Sequence, residues 1–188
     1  VSNRPLKPAV FLDRDGTISE EVGYLNHVSR FHMFPFAPAA IRKLNERGLL
    51  VFAITNQSGV ARGYYPETLV HTVHDLMTRQ LAKAEAHLDG IYYCPHASGN
   101  ACVCRKPDPG MLHQASAKHG VDLTRSFVVG DRHSDVELAH RVAARSIMVR
   151  TGYGEGEILW HSRNWTLKPD FIAADLTAAA DWILEQTN

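Results

Sequence analysis

Four apolar residues, Ala9-Val10-Phe11-Leu12, run directly into Asp13-Arg14-Asp15-Gly16-Thr17. A short apolar run of this kind reads as a buried strand, and its abrupt acidic end fixes where the chemistry of such a fold would lie. Gly16 lets the backbone turn away at once. Residues two apart in an extended segment project to the same side, so Asp13 and Asp15 can reach one point beyond the strand. Two carboxylates there suit a divalent cation with oxygen ligands, and one can serve as nucleophile while the other handles protons. The plainer alternative for the octapeptide alone is a surface Asp-x-Asp-Gly turn. Ligand sites in α/β folds favour strand ends, which tilts the reading towards function.

The rest of the chain repeats the theme of strand, polar end and helix. Residues 18–36, with Gly23-Tyr24 and Pro35, hold no helical period and read as a loop or small hairpin over the strand end. The spacing predicts a helix over 38–47, with Ile41 and Leu44 on one face and Gly48 placed to stop it. A second buried strand follows at 49–54, and strand, helix, strand implies a right-handed parallel crossover. That strand ends in Thr55-Asn56-Gln57-Ser58-Gly59-Val60-Ala61-Arg62-Gly63, on the same edge as Asp13, so Thr55 can face the same ligand. Further on, a helix is expected at 67–87, with Leu69, Val73, Leu76, Met77 and Leu81 on its buried stripe, then a short strand at 91–93. Asp108-Pro109 reads as a helix start running to His119 before Gly120. Another strand, 126–129, ends in Gly130-Asp131-Arg132-His133-Ser134-Asp135, with a helix beginning near Ser134. Asp131 could complete the metal site. Asp135 is open between ligand, anchor for Lys106 and plain first-turn acid. A strand at 146–149, a glycine-rich loop at 151–156, the segment 170–173 and a helix at 176–185 close the chain. This alternation predicts an α/β fold, and residues 1–188 are expected to form one domain.

All three cysteines fall in one segment, Cys94-Pro95-His96 … Cys102-Val103-Cys104. Three thiols and an imidazole make the complement of a tetrahedral zinc site. Four protein ligands would close the shell, so that zinc would be structural, pinning a loop with little to bury. Arg105-Lys106-Pro107 follows at once, and two cations held by a metal clip could clamp a phosphate, although a solvated Arg-Lys pair is the plainer reading.

Composition narrows the partners. The 20 basic and 20 acidic residues balance to a net charge of zero, which argues against a dedicated nucleic-acid or anionic-membrane surface. There is no apolar run of the roughly 20 residues a span requires and no signal-peptide pattern, so a cytoplasmic, membrane-free protein is expected, working as a monomer. Apart from His96, no histidine falls into a constellation, and Trp160, Trp165 and Trp182 are expected to pack.

Asp13-x-Asp15-Gly16-Thr17, Thr55-Asn56, Lys106-Pro107 and Gly130-Asp131-x-x-x-Asp135, in this order, resemble the four motifs of the haloacid dehalogenase superfamily of phosphotransferases. Gly23-Tyr24, the segment from Thr55 to Gly63, Tyr93-Cys94-Pro95-His96 and Cys102-x-Cys104-Arg105-Lys106-Pro107 are similar, more narrowly, to its heptose-bisphosphate phosphatase family. Histidinol-phosphate phosphatases share the zinc loop and the four motifs. Val60-Ala61-Arg62-Gly63 favours the heptose type, whereas Gly130-Asp131-Arg132 is nearer the histidinol type. The resemblance spans residues 9–155.

The resemblance implies a Rossmann-like parallel sheet with helices on both faces, a zinc-stapled loop and no large cap domain. It implies a Mg²⁺-dependent phosphatase working through a phosphoaspartyl intermediate, with Asp13 as nucleophile, Asp15 as acid and base, and Thr55 and Lys106 on the phosphoryl oxygens. Asp13, the Asp15 carbonyl and Asp131 would hold Mg²⁺, and Cys94, His96, Cys102 and Cys104 would hold Zn²⁺. Glu21, Gly23, Tyr24, Asn56, Gln57, Ser58, Arg105 and Arg132 become the candidates for binding the sugar phosphate. The implied reaction removes the C7 phosphate of a heptose 1,7-bisphosphate, in the biosynthesis of nucleotide-activated heptose for lipopolysaccharide. Other small-molecule phosphatases of the superfamily are the nearest alternatives. A catalytically silent zinc-stapled scaffold is the alternative of another class, and a scaffold has no use for Asp13, Asp15, Lys106 and Asp131 together.

Overall fold

In the computed structural model, which describes residues 5–187, the first strand, β1 (Ala9–Asp13), is buried along its whole length. Its side chains alternate between two apolar layers: Val10 and Leu12 face one, Ala9 and Phe11 the other. A strand covered on both faces needs neighbours on both edges, and β1 has them. β2 (Leu50–Asn56) and β4 (Phe127–Gly130) flank it, β3 (Gly90–Cys94) lies outside β2, and β5 (Arg145–Val149) and β6 (Phe171–Ala173) extend the other side. The order is β3-β2-β1-β4-β5-β6, and every pairing is parallel. Strand order reverses between β1 and β4, which opens a crevice at their carboxyl ends. Register carries the candidate residues there: Asp13 pairs with Ile54, one residue before Thr55, and Leu12 pairs with Val129, two before Asp131.

The helices follow from the apolar periods. α1 (Ala37–Glu46) buries Ala37, Ala40, Ile41 and Leu44, and α2 (Glu67–Lys83) buries Val70, Val73, His74, Met77 and Leu81, both contributing to the layer that holds Val10 and Leu12. α3 (Gly110–His119) and α4 (His133–Arg141) cover the opposite face. α3 ends at Gly120, whose φ of 68° is the left-handed cap that glycine adopts without strain. A single helical turn, α5 (Gly154–Gly156), leads into an irregular stretch, and α6 (Leu176–Gln186), capped by Asp175 through the Ala178 amide, packs against α1. The tail beyond residue 156 therefore supplies the last strand of the sheet and its final helix.

Three expectations change. α2 stops at Lys83 instead of running to residue 87: Glu85 sits at a φ of 57°, and the chain turns so that the Asp89 carboxylate can accept from the Val51 amide at 2.7 Å. The buried stripe of α2 correspondingly centres on Val70, Val73, His74 and Met77, with Leu69 and Leu76 only half-buried. Trp160 does not pack; it is 75% exposed, whereas Trp165 stacks on His133 and Trp182 on Phe171. Among the described residues, no helix is long and apolar enough to cross a membrane.

Candidate active site

The carboxyl ends of β1 and β4 and the loop before α3 bring four charges together out of water. Lys106 Nζ lies 2.8 Å from Asp13 Oδ2 and 2.7 Å from Asp135 Oδ1, and all three side chains are buried. Asp13, Asp131 and Asp135 each place a carboxylate oxygen within 4.8 Å of the others. Two glycines make room: a Cβ at Gly16 or Gly152 would collide with the Asp131 carboxylate, and both residues hold a positive φ. Asp131 Oδ2 accepts from the Tyr153 amide at 2.8 Å, while its Oδ1 is buried with no protein partner.

The electrostatics follow from burial. Desolvation pushes the Asp13 carboxyl up to about 7, against the pull of Lys106, and Asp131 up to about 8, with Asp13 adding repulsion. Burial works against the Lys106 charge too, but its pairs with Asp13 and Asp135 hold the ammonium above its ordinary range. Three carboxylates and one ammonium leave two negative charges uncompensated if all ionise. A divalent cation is the natural counter-charge. The unpartnered oxygen of Asp131 can serve as a ligand atom, so the donor set fits a hard cation such as Mg²⁺. Asp135 resolves towards the Lys106 anchor: its other oxygen accepts from the Arg132 amide at 3.2 Å, capping α4.

Asp15 is held differently. β1 ends at Asp13, so Asp15 lies in the turn beyond, and Arg14 reaches it with a two-pronged pair, Nε to Oδ1 at 2.9 Å and Nη2 to Oδ2 at 2.6 Å. Gln57 Nε2 adds a third donor at 3.0 Å. Arg14 is only 1% exposed, and its Nη1 lies 3.4 Å from His74 Nε2. Burial first, and then the adjoining guanidinium, lower His74 to about 3, so the ring is a neutral partner. Asn56 fixes Lys106 from the other side, its amide exchanging hydrogen bonds with the Lys106 carbonyl and N–H at 3.2 and 3.0 Å.

A cavity of about 390 Å³ opens over these groups. Asp13, Asp15, Thr55 and Lys106 line it, as do Glu21, Gly23, Tyr24, Asn56, Gln57, Ser58, Arg105 and Arg132. Every residue assigned by resemblance to substrate thus borders one space. Burial and the Asp15 charge raise the Glu21 carboxyl, which accepts from the Gly23 amide at 2.5 Å. The Arg132 guanidinium lies 3.8 Å above the Tyr153 ring, a cation–π contact that aims it. Tyr24 meets Tyr64 edge to face at 4.7 Å.

Sequence reasoning missed Arg14, Tyr65, His74, Ser134 and Tyr153. Strand alternation would send Arg14 away from the acids, but the strand ends at Asp13 and alternation ceases there. Ser134 lies within the segment 130–135 itself, whereas Tyr65 and Tyr153 reach the cavity, and His74 backs Arg14, through packing that local spacing does not mark.

Behind Lys106, the Cys94, His96, Cys102 and Cys104 ligand atoms also lie within 4.8 Å of one another. Cys94 Sγ is 3.4 Å from His96 Nδ1 and 3.8 Å from Cys102 Sγ, and His96 Nδ1 is 3.3 Å from Cys104 Sγ. Ligands at zinc distances on a tetrahedron have edges of about 3.3–3.8 Å, so this set fits zinc. Cys94 and Cys104 approach more closely, to 3.0 Å. Arg105 Nη1 donates to the His96 carbonyl at 3.2 Å, tying the guanidinium to the same loop.

The chain is similar in sequence and fold to known phosphatases. Residues 103–179 match the family model described as HAD-hydrolase-like. The chain is 40% identical to the D-glycero-D-manno-heptose-1,7-bisphosphate 7-phosphatase of Thermosynechococcus vestitus, over 94% of this chain and 95% of that protein. It is 38% identical to the D-glycero-beta-D-manno-heptose-1,7-bisphosphate 7-phosphatase of Escherichia coli strain K12, over 94% and 88%. Among solved structures, the B. bronchiseptica D,D-heptose 1,7-bisphosphate phosphatase complexed with magnesium and phosphate superposes with a TM-score of 0.87 at 30% identity, covering 95% of this chain and 99% of that one. The Burkholderia thailandensis D,D-heptose 1,7-bisphosphate phosphatase gives 0.72 at 26%, with the same coverage.

Proposed function

The chain belongs to the D-glycero-D-manno-heptose-1,7-bisphosphate 7-phosphatase family of haloacid-dehalogenase-like hydrolases, and from that premise we propose that it removes the C7 phosphate of a D-glycero-D-manno-heptose 1,7-bisphosphate. The observation that carries the mechanism is the meeting of Asp13, Lys106 and Asp131 at the point where strand order reverses. Asp13 attacks phosphorus: a bond forms from its carboxylate oxygen, the bond to the sugar oxygen breaks, and Asp15, having taken up a proton on substrate binding, delivers it to the departing alkoxide. Water then attacks the acyl phosphate as Asp15 takes its proton, releasing phosphate and restoring Asp13. A sugar alkoxide is a poor leaving group, so that proton transfer is worth about 10²–10⁴ in rate.

Thr55 and Lys106 hold phosphoryl oxygens, as phosphoryl transfer rewards placement and charge above all. Asp13, the Asp15 carbonyl and Asp131 would hold Mg²⁺, which supplies positive charge between nucleophile and phosphoryl group. Cys94, His96, Cys102 and Cys104 would hold a structural Zn²⁺. Arg105, one peptide bond from both Cys104 and Lys106, sits at a fixed distance from the reacting phosphate and suits the distal end of the sugar. The segment 21–24 and Arg132 line the same space.

The chain acts as one catalytic unit and as a monomer, since the site is assembled within this chain around the carboxyl ends of a single six-stranded sheet. The cytoplasm suits its three free cysteines, and zero net charge argues against a dedicated nucleic-acid surface. The product serves nucleotide-activated heptose for lipopolysaccharide. A phosphate-release screen across both anomers of the heptose bisphosphate, fructose bisphosphate and histidinol phosphate tests the reading. The heptose substrate should show the highest kcat/KM and yield the 1-phosphate; a preference for histidinol phosphate would overturn it.

A further inference from the structure

The Gln57 amide sits between two groups of the reaction. Its Nε2 carries two protons and meets two acceptors, Thr55 Oγ1 at 2.8 Å and Asp15 Oδ2 at 3.0 Å. Its Oε1 accepts from the Tyr65 hydroxyl at 3.0 Å. The orientation of the amide follows from chemistry: a carboxylate paired with Arg14 only accepts, so nitrogen must face it, and Tyr65 then meets the oxygen. Gln57 and Tyr65 are 4% and 7% exposed, and Gly59 is what admits the tyrosine, because a Cβ there would collide with the ring.

We propose that Gln57 is a positioning residue for both half-reactions, aiming the Thr55 hydroxyl and steadying the Asp15 carboxylate through one amide that Tyr65 holds in place. Once Thr55 Oγ1 accepts from Gln57, its own proton is left to donate into the cavity, where a phosphoryl oxygen accepts it. Asp15, held by Arg14 from one side and Gln57 from the other, keeps its place relative to the leaving oxygen. Both amide protons are committed inside the protein, so Gln57 acts through its neighbours instead of gripping substrate.

This inference rests on the phosphoaspartyl reading above, and its test is separable from that reading. Gln57→Leu and the isosteric Gln57→Glu, neither with amide protons, are compared with wild type on an alkyl phosphate that the wild-type protein hydrolyses and on p-nitrophenyl phosphate, whose leaving group needs no proton. Both variants should lose about 10²-fold in kcat/KM, which reports the phosphoryl-transfer step, on the alkyl ester, the scale of a small misplacement. The loss should exceed that on the aryl ester by about tenfold or more, reflecting impaired proton delivery, with KM little changed. Tyr65→Phe should lose less, and nothing further in the Gln57→Leu background. Equal losses on the two esters, an effect confined to KM, or wild-type rates in Gln57→Glu would each overturn the assignment. Wild-type inactivity towards heptose bisphosphate, with another alkyl ester hydrolysed, would overturn the substrate reading alone.

Discussion

Asp13 is a carboxylate that burial opposes and Lys106 retains, a balance that leaves it available to attack. Its amide analogue keeps the shape and loses the nucleophile, because an amide cannot form the acyl phosphate. Asp13→Asn should therefore fold with an undiminished melting temperature and bind substrate, yet turn over at less than about one part in a hundred of wild type. A variant retaining more would refute the phosphoaspartyl route. The neighbouring residues show how single positions divide the labour. Arg14, wedged between the two acids in sequence, turns out to grip Asp15 and to lean on the neutral ring of His74. Asn56 spends its amide on the Lys106 backbone, which makes a residue assigned to substrate a support for Lys106 as well.

The cysteine-rich loop after β3 has little apolar surface of its own to bury. Cys94 ends β3 inside the core, but the loop beyond it exposes Val103 at 75%, so apolar packing alone cannot hold the approach to Lys106. The loop also fits closely against the start of α3, where the Gly110 amide donates to the Val103 carbonyl at 2.8 Å and any Cβ would collide with that backbone. Elemental analysis should find about one zinc per chain, from the one complete ligand set. Cys104→Ser should lower both the melting temperature and kcat by displacing Lys106, whereas mild chelation that removes only Mg²⁺ should be reversible. Zinc-free protein with unchanged melting and kinetics would sink this account.

Across the whole molecule, the acid cluster couples folding to pH and to the cation. Asp13 and Asp131 titrate near 7 and 8 in the folded chain, against an ordinary 3.8. Between those values the folded state binds more protons than the unfolded one, so stability falls as pH rises through that window. A bound cation displaces those protons, and its stabilisation should grow over the same range. The rise in melting temperature on adding Mg²⁺ should thus be larger at about pH 8 than at about pH 6; an equal or smaller rise would contradict the linkage. The sequence alone determined the alternation of strands and helices, and which residue types stand at the strand ends, Asp13, Thr55 and Asp131, with Lys106 in the loop that follows the cysteines and His96. Those features are legible because apolar period and ligand type are local properties. Only the tertiary structure decided that Asp135 anchors Lys106, that Gln57 joins Thr55 to Asp15, and that the tail completes the sheet. It also stopped α2 at Lys83 and left Trp160 exposed. Each of these depends on which surfaces meet across many residues of chain, and no local period encodes such a meeting.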